Sequence, residues 1–346
     1  MSIENKTLAI VGATGAVGRE SITVMEQRKL KPGKLKLLAS ARSAGETISA
    51  FNHDTVVEEL TEESFRDVDI ALFCAGSSVS KKFADAAVEA GTVVIDKTSA
   101  FRMNEGVPLV VPEVNSEALF EGLKNREDGK GLIVSNPNCS TIPLTVILKP
   151  LNEAFGLKRV VVSTYQSVSG AGREGMDELW EQTKGLYSQQ EVKPETFQHR
   201  IAFNCIPHID SFQDDGYTKE EIKLIEESRK ILDLPDLAIT CTAVRVPVMA
   251  CHAESVNLEF LNPASPEQVR EVLEGSDGVV VQDNPGENTY PMNSTLIGTD
   301  ETYVGRIRAD KTVKHGLNLW LVADNLRKGA ALNGVQIAEL VLNGEA

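Results

Sequence analysis

Thr7-Leu8-Ala9-Ile10-Val11-Gly12-Ala13-Thr14-Gly15-Ala16-Val17-Gly18 carries the first strong structural signal of the chain. A short apolar run leads straight into three glycines spaced G-x-x-G-x-x-G, and a helical pattern over Ala16–Gln27 begins within them. Glycine lets the backbone come close to a pyrophosphate, and a helix N-terminus supplies unpaired N–H donors and positive potential. The spacing is looser than the usual dinucleotide fingerprint, and such turns also serve purely structural ends. Its place after the first strand of an alternating pattern favours the nucleotide reading. Gly12, Thr14, Gly15, Ala16 and Val17 are then the contacting residues.

Outward from this stretch, strand-like and helix-like segments alternate. Lys34–Ala39, 69–74, 92–96 and Leu132–Ser135 read as strands, and 80–90 reads as a helix. This alternation implies right-handed βαβ units and a parallel, doubly wound α/β sheet. Glu121 to Lys130, charged and glycine-flanked, reads as a surface loop. From Lys158 onward longer strands appear, at 159–167, 238–248, 254–261, 303–308 and 317–323, with helices at 172–187 and 219–232. That texture predicts a second, α+β domain on a mostly antiparallel sheet. Residues 327–342 read as an amphipathic helix returning to the first domain. The expected division is residues 1–137 plus 326–346 for the nucleotide and 138–325 for catalysis and oligomerisation.

The end of the second strand distinguishes between cofactors. NAD-binding folds place Asp or Glu there, about 20 residues after the glycines, to hold the ribose 2′-hydroxyl. This chain has Ala39-Ser40-Ala41-Arg42-Ser43-Ala44-Gly45 instead. An arginine between two serines suits a 2′-phosphate, so Ser40, Arg42 and Ser43 favour NADP (as NADPH) over NAD.

Bulk properties narrow the field further. At 346 residues the chain exceeds one ordinary core, in keeping with two domains. A net charge of −15 disfavours nucleic acid as a partner, because a phosphate backbone is repelled by that field. No apolar run approaches the ~18 residues of a membrane helix, and no signal-peptide core follows Met1, so a cytoplasmic location is expected. The 5 cysteines show no C-x-x-C spacing, which argues against a disulfide framework and against a metal site.

One cysteine stands apart. Cys139 lies in Ser135-Asn136-Pro137-Asn138-Cys139-Ser140-Thr141, between an apolar strand and a helical pattern. Backbone N–H groups and a helix dipole aimed at its sulfur favour thiolate over thiol, which makes a usable nucleophile. Such a thiolate needs a proton-transfer partner. The residues alone do not select it among His53, His199, His208, His252 and His315.

Taken together, these motifs resemble the aspartate-β-semialdehyde dehydrogenase family, along the whole chain. The matching segments are 12–18, 39–45, 136–141, Tyr165 to Gly172, Arg245 to Glu254 and Val304 to Arg308. The short Ala-Thr-Gly-Ala form resembles the branch from Gram-positive and related bacteria. Ser167-Val168 departs from the family's pattern, where small residues are expected.

The resemblance implies a Rossmann-like first domain and a reductive dephosphorylation. L-Aspartyl 4-phosphate would become L-aspartate 4-semialdehyde, a step toward lysine, threonine, methionine and diaminopimelate. Cys139 is similar to the family's nucleophile, which forms an acyl-thioester that NADPH reduces. His252 looks like the acid/base and Gln166 like the residue that orients the acyl group. The resemblance further assigns Arg245 to the substrate carboxylate and Glu220 to its ammonium. Lys223, Arg102 and Asn138 go to the phosphate, and Ser169, Gly170 and Asn325 to the cofactor. It implies a homodimer or homotetramer through the second domain. An N-acetyl-γ-glutamyl-phosphate reductase or another acyl-phosphate reductase is the nearest alternative, and an NADP-sensing regulator lacking catalysis is a more distant one. Glu220 with Lys223 discriminates, because an N-acetylated substrate has no ammonium to satisfy a carboxylate.

Overall fold

The computed structural model describes residues 3–190 and 192–344, which divide into two units. The first comprises 1–137 with 330–346, and the second 138–329. The sequence reading put the return to the first unit at 326. Gly329 instead stays with the second unit, where its Cα packs so closely on Cys139 that a Cβ would stand 3.0 Å from the cysteine's own. Among the described residues no helix is long and apolar enough to cross a membrane.

In the first unit, β1 (Thr7–Val11), α1 (Ala16–Gln27), β2 (Lys34–Ala39), β3 (Thr47–Ala50), β4 (His53–Glu59) and β5 (Ile70–Phe73) come first. α2 (Ser77–Glu89), β6 (Val93–Asp96), α3 (Pro112–Asn125) and β7 (Leu132–Ser135) follow. The strand order is β3-β4-β2-β1-β5-β6-β7, parallel except for the β3–β4 edge hairpin. β1, β5 and β6 are apolar and almost wholly buried, as strands covered on both faces must be. The order reverses at β1, so the loop after β1 opens at the switch point, where ligands of such sheets bind. Residues 121–125 form the last turns of α3 rather than a loop, because Leu119 and Leu123 on that helix pack into the core.

In the second unit, α4 (Thr141–Phe155), β8 (Leu157–Gln166), α5 (Gly172–Ser188), α6 (Lys219–Leu232), β9 (Ala238–Arg245) and β10 (His252–Phe260) are followed by α7 (Pro266–Glu274). β11 (Val279–Val281), β12 (Thr302–Asp310) and β13 (Gly316–Ala323) complete it. The sheet runs β11-β12-β13-β10-β8-β9 and is mixed, with β8–β9 and β11–β12 parallel and the other pairs antiparallel. Alternation along β8, β9 and β10 buries Val160, Val162, Ile239, Cys241, Val256 and Leu258 on one face, with α4 and α6 packed beside these strands. A final helix, α8 (Leu332–Gly344), belongs to the first unit. There Val335, Ile337, Ala338 and Val341 enter the core, and Glu339 pairs with Arg28 at 2.6 Å.

Candidate active site

In the first unit, Gly12 has φ +83 and a Cβ there would stand 2.9 Å from the Ala75 nitrogen. At Gly18 a Cβ would overlap the Gly12 carbonyl oxygen, so both glycines are needed to close the turn onto α1. Gly15 caps α1 with no side-chain hydrogen bond, and no acidic residue occupies the first turn. That helix end is therefore left for an anion. Ser40 and Arg42 are exposed in the turn after β2, where Ser43 and Ala44 donate to the Ser40 carbonyl. Among the described residues the Arg42 guanidinium has no protein partner. These features fit a nicotinamide dinucleotide with its diphosphate on α1. Arg102, also in this unit, is buried and donates from Nε to the Asn136 carbonyl at 2.9 Å and from Nη2 to the Lys97 carbonyl at 3.2 Å.

In the second unit, strand register aligns three side chains. Gln166 and Arg245 are partners across β8–β9, and His252 begins β10 beside them. All three are buried and lie at the same end of adjacent strands. Gly170 follows in a tight turn, where a Cβ would come within 2.8 Å of Arg245 Nη1 and 3.2 Å of His252 Nε2. Only glycine leaves that space open.

Cys139 precedes α4, half-buried, in a turn fixed by its neighbour. Asn138 Oδ1 accepts from the Ser140 N–H at 2.9 Å, and its carbonyl accepts from Ile142 at 3.0 Å. Asn138 Nδ2 donates to Glu220 Oε1 at 2.8 Å, where Gln166 Nε2 also arrives at 3.3 Å. Lys223 Nζ reaches Glu220 Oε2 at 3.3 Å and Asp210 Oδ2 at 2.7 Å. Burial works to raise the Glu220 carboxyl. The Lys223 charge and the hydrogen bonds from Asn138 and Gln166 outweigh it and hold the group below its usual range. Burial likewise opposes the Lys223 ammonium, which Glu220 and Asp210 nonetheless raise. Glu220 is thus a buried, ionised carboxylate.

Arg245 donates from Nη1 to the Ser167 carbonyl at 2.7 Å and lies over the Phe197 ring. Burial lowers it, while Glu220 and Cys139 favour its charge. His252 is pushed down to about 3, first by burial and then by the Arg245 guanidinium, so its ring is neutral near pH 7. Cys251 and Cys241, by contrast, are raised by burial, Cys251 to about 12, and neither offers a ready thiolate.

Residues 7–121 match the description "Semialdehyde dehydrogenase, NAD binding domain", and 148–328 match "Semialdehyde dehydrogenase, dimerisation domain". The aspartate-semialdehyde dehydrogenase of Aquifex aeolicus is 50% identical over 337 residues, covering 97% of each chain. That of Bacillus subtilis is 47% identical over 340 residues, covering 96% of each. This chain belongs to the aspartate-semialdehyde dehydrogenase family. Among solved structures, aspartate semialdehyde dehydrogenase II of Vibrio cholerae, complexed with ASA, superposes with a TM-score of 0.93 at 46% identity over 98% of each chain. The Candida albicans enzyme with NADP gives 0.75 at 26% identity over 99% of each.

For a member of the aspartate-semialdehyde dehydrogenase family, the structure places the residues expected from the sequence in two groups. Gly12, Thr14, Gly15, Ala16, Val17, Ser40, Arg42, Ser43 and Arg102 lie in the first unit. Asn138, Cys139, Gln166, Ser169, Gly170, Glu220, Lys223, Arg245, His252 and Asn325 lie in the second. Ser169 and Asn325 bond each other, Nδ2 to Oγ at 3.0 Å. Sequence reasoning missed Asp210, Glu227 and the local role of Ser167. Glu227 resembles any exposed helix charge until its partner, 89 residues away, is known.

Proposed function

We propose that this chain reduces L-aspartyl 4-phosphate to L-aspartate 4-semialdehyde with NADPH, releasing phosphate through an acyl-thioester on Cys139. The observation that carries the reading is the buried Glu220 carboxylate beside Arg245. A carboxylate and a guanidinium in one pocket suit a free α-amino acid, whose ammonium and carboxylate they complement. An N-acetylated substrate would bring no ammonium to Glu220, and its acyl group would replace a favourable charge contact with a desolvating one beside a carboxylate that Lys223 alone would then offset.

Cys139 attacks the acyl carbonyl and phosphate departs with the bonding pair. Lys223 has three ammonium hydrogens and two protein acceptors, which leaves one hydrogen for a phosphate oxygen, a role shared with Asn138, and the family resemblance gives Arg102 to the phosphate as well. Gln166 orients the acyl group. The nicotinamide cofactor, when bound, supplies the hydride. His252 takes the thiol proton and manages the proton on the hemithioacetal oxygen, after which the thiolate leaves. Ser40, Arg42 and Ser43 select the 2′-phosphate, and Ser169, Gly170 and Asn325 line the nicotinamide side. The second unit joins copies as a homodimer or homotetramer, a reading supported by its match to a dimerisation domain.

The test is NADPH oxidation with β-aspartyl phosphate against N-acetyl-γ-glutamyl phosphate. Turnover confined to the first is expected. Comparable turnover of the second overturns the substrate assignment.

A further inference from the structure

Ser167 is fully buried against His252. Its backbone N–H donates to Nδ1 of the ring at 3.1 Å. A neutral imidazole that accepts at Nδ1 carries its proton on Nε2. Nε2 has no hydrogen-bond partner among the described residues and looks onto Gly170. In this tautomer the ring can donate to an oxyanion but cannot take a proton at Nε2.

To accept the thiol proton at Nε2, the ring must hold its other proton on Nδ1. That Nδ1–H needs an acceptor, and the Ser167 N–H cannot serve. The Ser167 hydroxyl can. Its oxygen stands 3.1 Å from Nδ1, 3.1 Å from Asn325 Oδ1 and 3.0 Å from Ser169 Oγ. With its own hydrogen directed to Asn325 Oδ1, which accepts only, the Ser167 oxygen turns a lone pair toward Nδ1. The Cys251 carbonyl accepts from Asn293 at 2.7 Å, keeps a second lone pair and also favours the charged ring, but the acceptor that stands 3.1 Å from Nδ1 is the Ser167 hydroxyl.

We propose that Ser167 is a positioning residue whose hydroxyl, relayed to Asn325, accepts from Nδ1–H and lets His252 hold a second proton. The proposal rests on His252 being the acid/base of the reaction. In the step it serves, the Cys139 S–H bond breaks, an N–H bond forms at Nε2, and thiolate and imidazolium result. The charged and titratable groups around this end of the sheet are Arg245 from β9, Cys139 ahead of α4, Glu220 from α6 and Glu254 on the ring's own strand. Arg245 opposes the imidazolium, so an acceptor at Nδ1 counts for more.

The experiment measures the pH dependence of Cys139 alkylation by iodoacetamide in the unliganded full chain, with Ser167→Ala, Ser167→Thr and His252→Gln. Without the acceptor the imidazolium is disfavoured, so the thiolate forms only at higher pH. Ser167→Ala should move the midpoint up by about one to two pH units, the worth of a hydrogen bond to a charged group. Ser167→Thr should restore it. Ser167→Gly deletes the same oxygen and replaces Ala if that variant does not fold. A shift in His252→Gln with none in Ser167→Ala or Ser167→Gly overturns this proposal alone. No shift in His252→Gln overturns the acid/base reading as well.

Discussion

The backbone N–H of Asn138 donates to Oε2 of Glu227 at 2.6 Å, so a carboxylate on α6 holds the residue just before Cys139. One turn pair earlier on the same helix, Glu220 takes the Asn138 side chain. Further along the sheet side, Glu221 accepts from the Ala243 N–H at 2.9 Å and ties α6 to β9. α6 thus fixes the cysteine's leading turn to the sheet that bears Gln166, Arg245 and His252.

Glu227 is therefore expected to matter for stability although it touches no substrate. Glu227→Leu leaves a buried N–H without an acceptor and should cost about 1–3 kcal/mol. Glu227→Gln keeps an acceptor oxygen and should cost less. Urea unfolding of the three proteins gives the comparison. Equal stability of Leu and unmodified forms would remove the contact from the account.

Cys139→Ser should lose on the order of 10³-fold or more in turnover, since a hydroxyl in the same field is far less ionised than a thiol. NADPH binding, followed by fluorescence, should persist. Near-normal turnover in the serine variant rules out the covalent route.

Several elements were legible in the sequence and others were not. α1, β2, β7 and α6 lie where the periodicity and glycine punctuation put them. The β3–β4 hairpin went unread. Its strands are short and polar, and its turn, Phe51-Asn52, takes positive φ at both residues without a glycine to announce it. Cys139 was legible because strand, turn and helix are contiguous. Glu227 and Ser167 were not, because each acts on a residue more than 80 positions away, and only the folded register brings them together.

Glu220 makes stability depend on acid pH. Its folded carboxyl lies below the 4.5 of the free group, so its contribution is fully present above about 4.5. That contribution is lost as pH falls through the lower folded value. Glu220→Gln removes the titration, and its stability should fall less steeply than that of the unmodified protein below pH 4.5. Parallel acid limbs in denaturant melts at a series of pH values would show that Glu220 does not titrate as described.

The proposed role of Arg42 is in cofactor choice. Removing an exposed guanidinium that has no protein partner among the described residues should leave folding unchanged. A charge-assisted contact of roughly 1.5–3 kcal/mol to the 2′-phosphate predicts a tenfold to hundredfold loss of NADPH preference in Arg42→Ala. The KM for NADH should hardly move. If the unmodified enzyme uses NADH as well as NADPH, the turn after β2 does not read a phosphate.

Arg245 and Arg102, proposed above for the substrate carboxylate and the phosphate, should separate in the reverse direction. Arg245 lies on β9 among Glu220, Gln166 and His252, which suits the α-carboxylate carried by both acyl phosphate and semialdehyde. Lysine cannot reproduce a planar fork, so Arg245→Lys should weaken activity toward either substrate. Arg102 donates from two of its nitrogens to the Asn136 and Lys97 carbonyls, so it is already oriented before any phosphate arrives. Arg102→Leu should chiefly raise the KM for phosphate, with a smaller change for the semialdehyde. Because Arg102 also supports those carbonyls, Arg102→Lys is the companion variant, retaining charge while losing the fork. Phosphate KM should then rank unmodified, Lys, Leu in increasing order. Equal weakening of phosphate and semialdehyde in Arg102→Leu would mean that Arg102 does not bind phosphate selectively, and the phosphate would rest on Lys223 and Asn138.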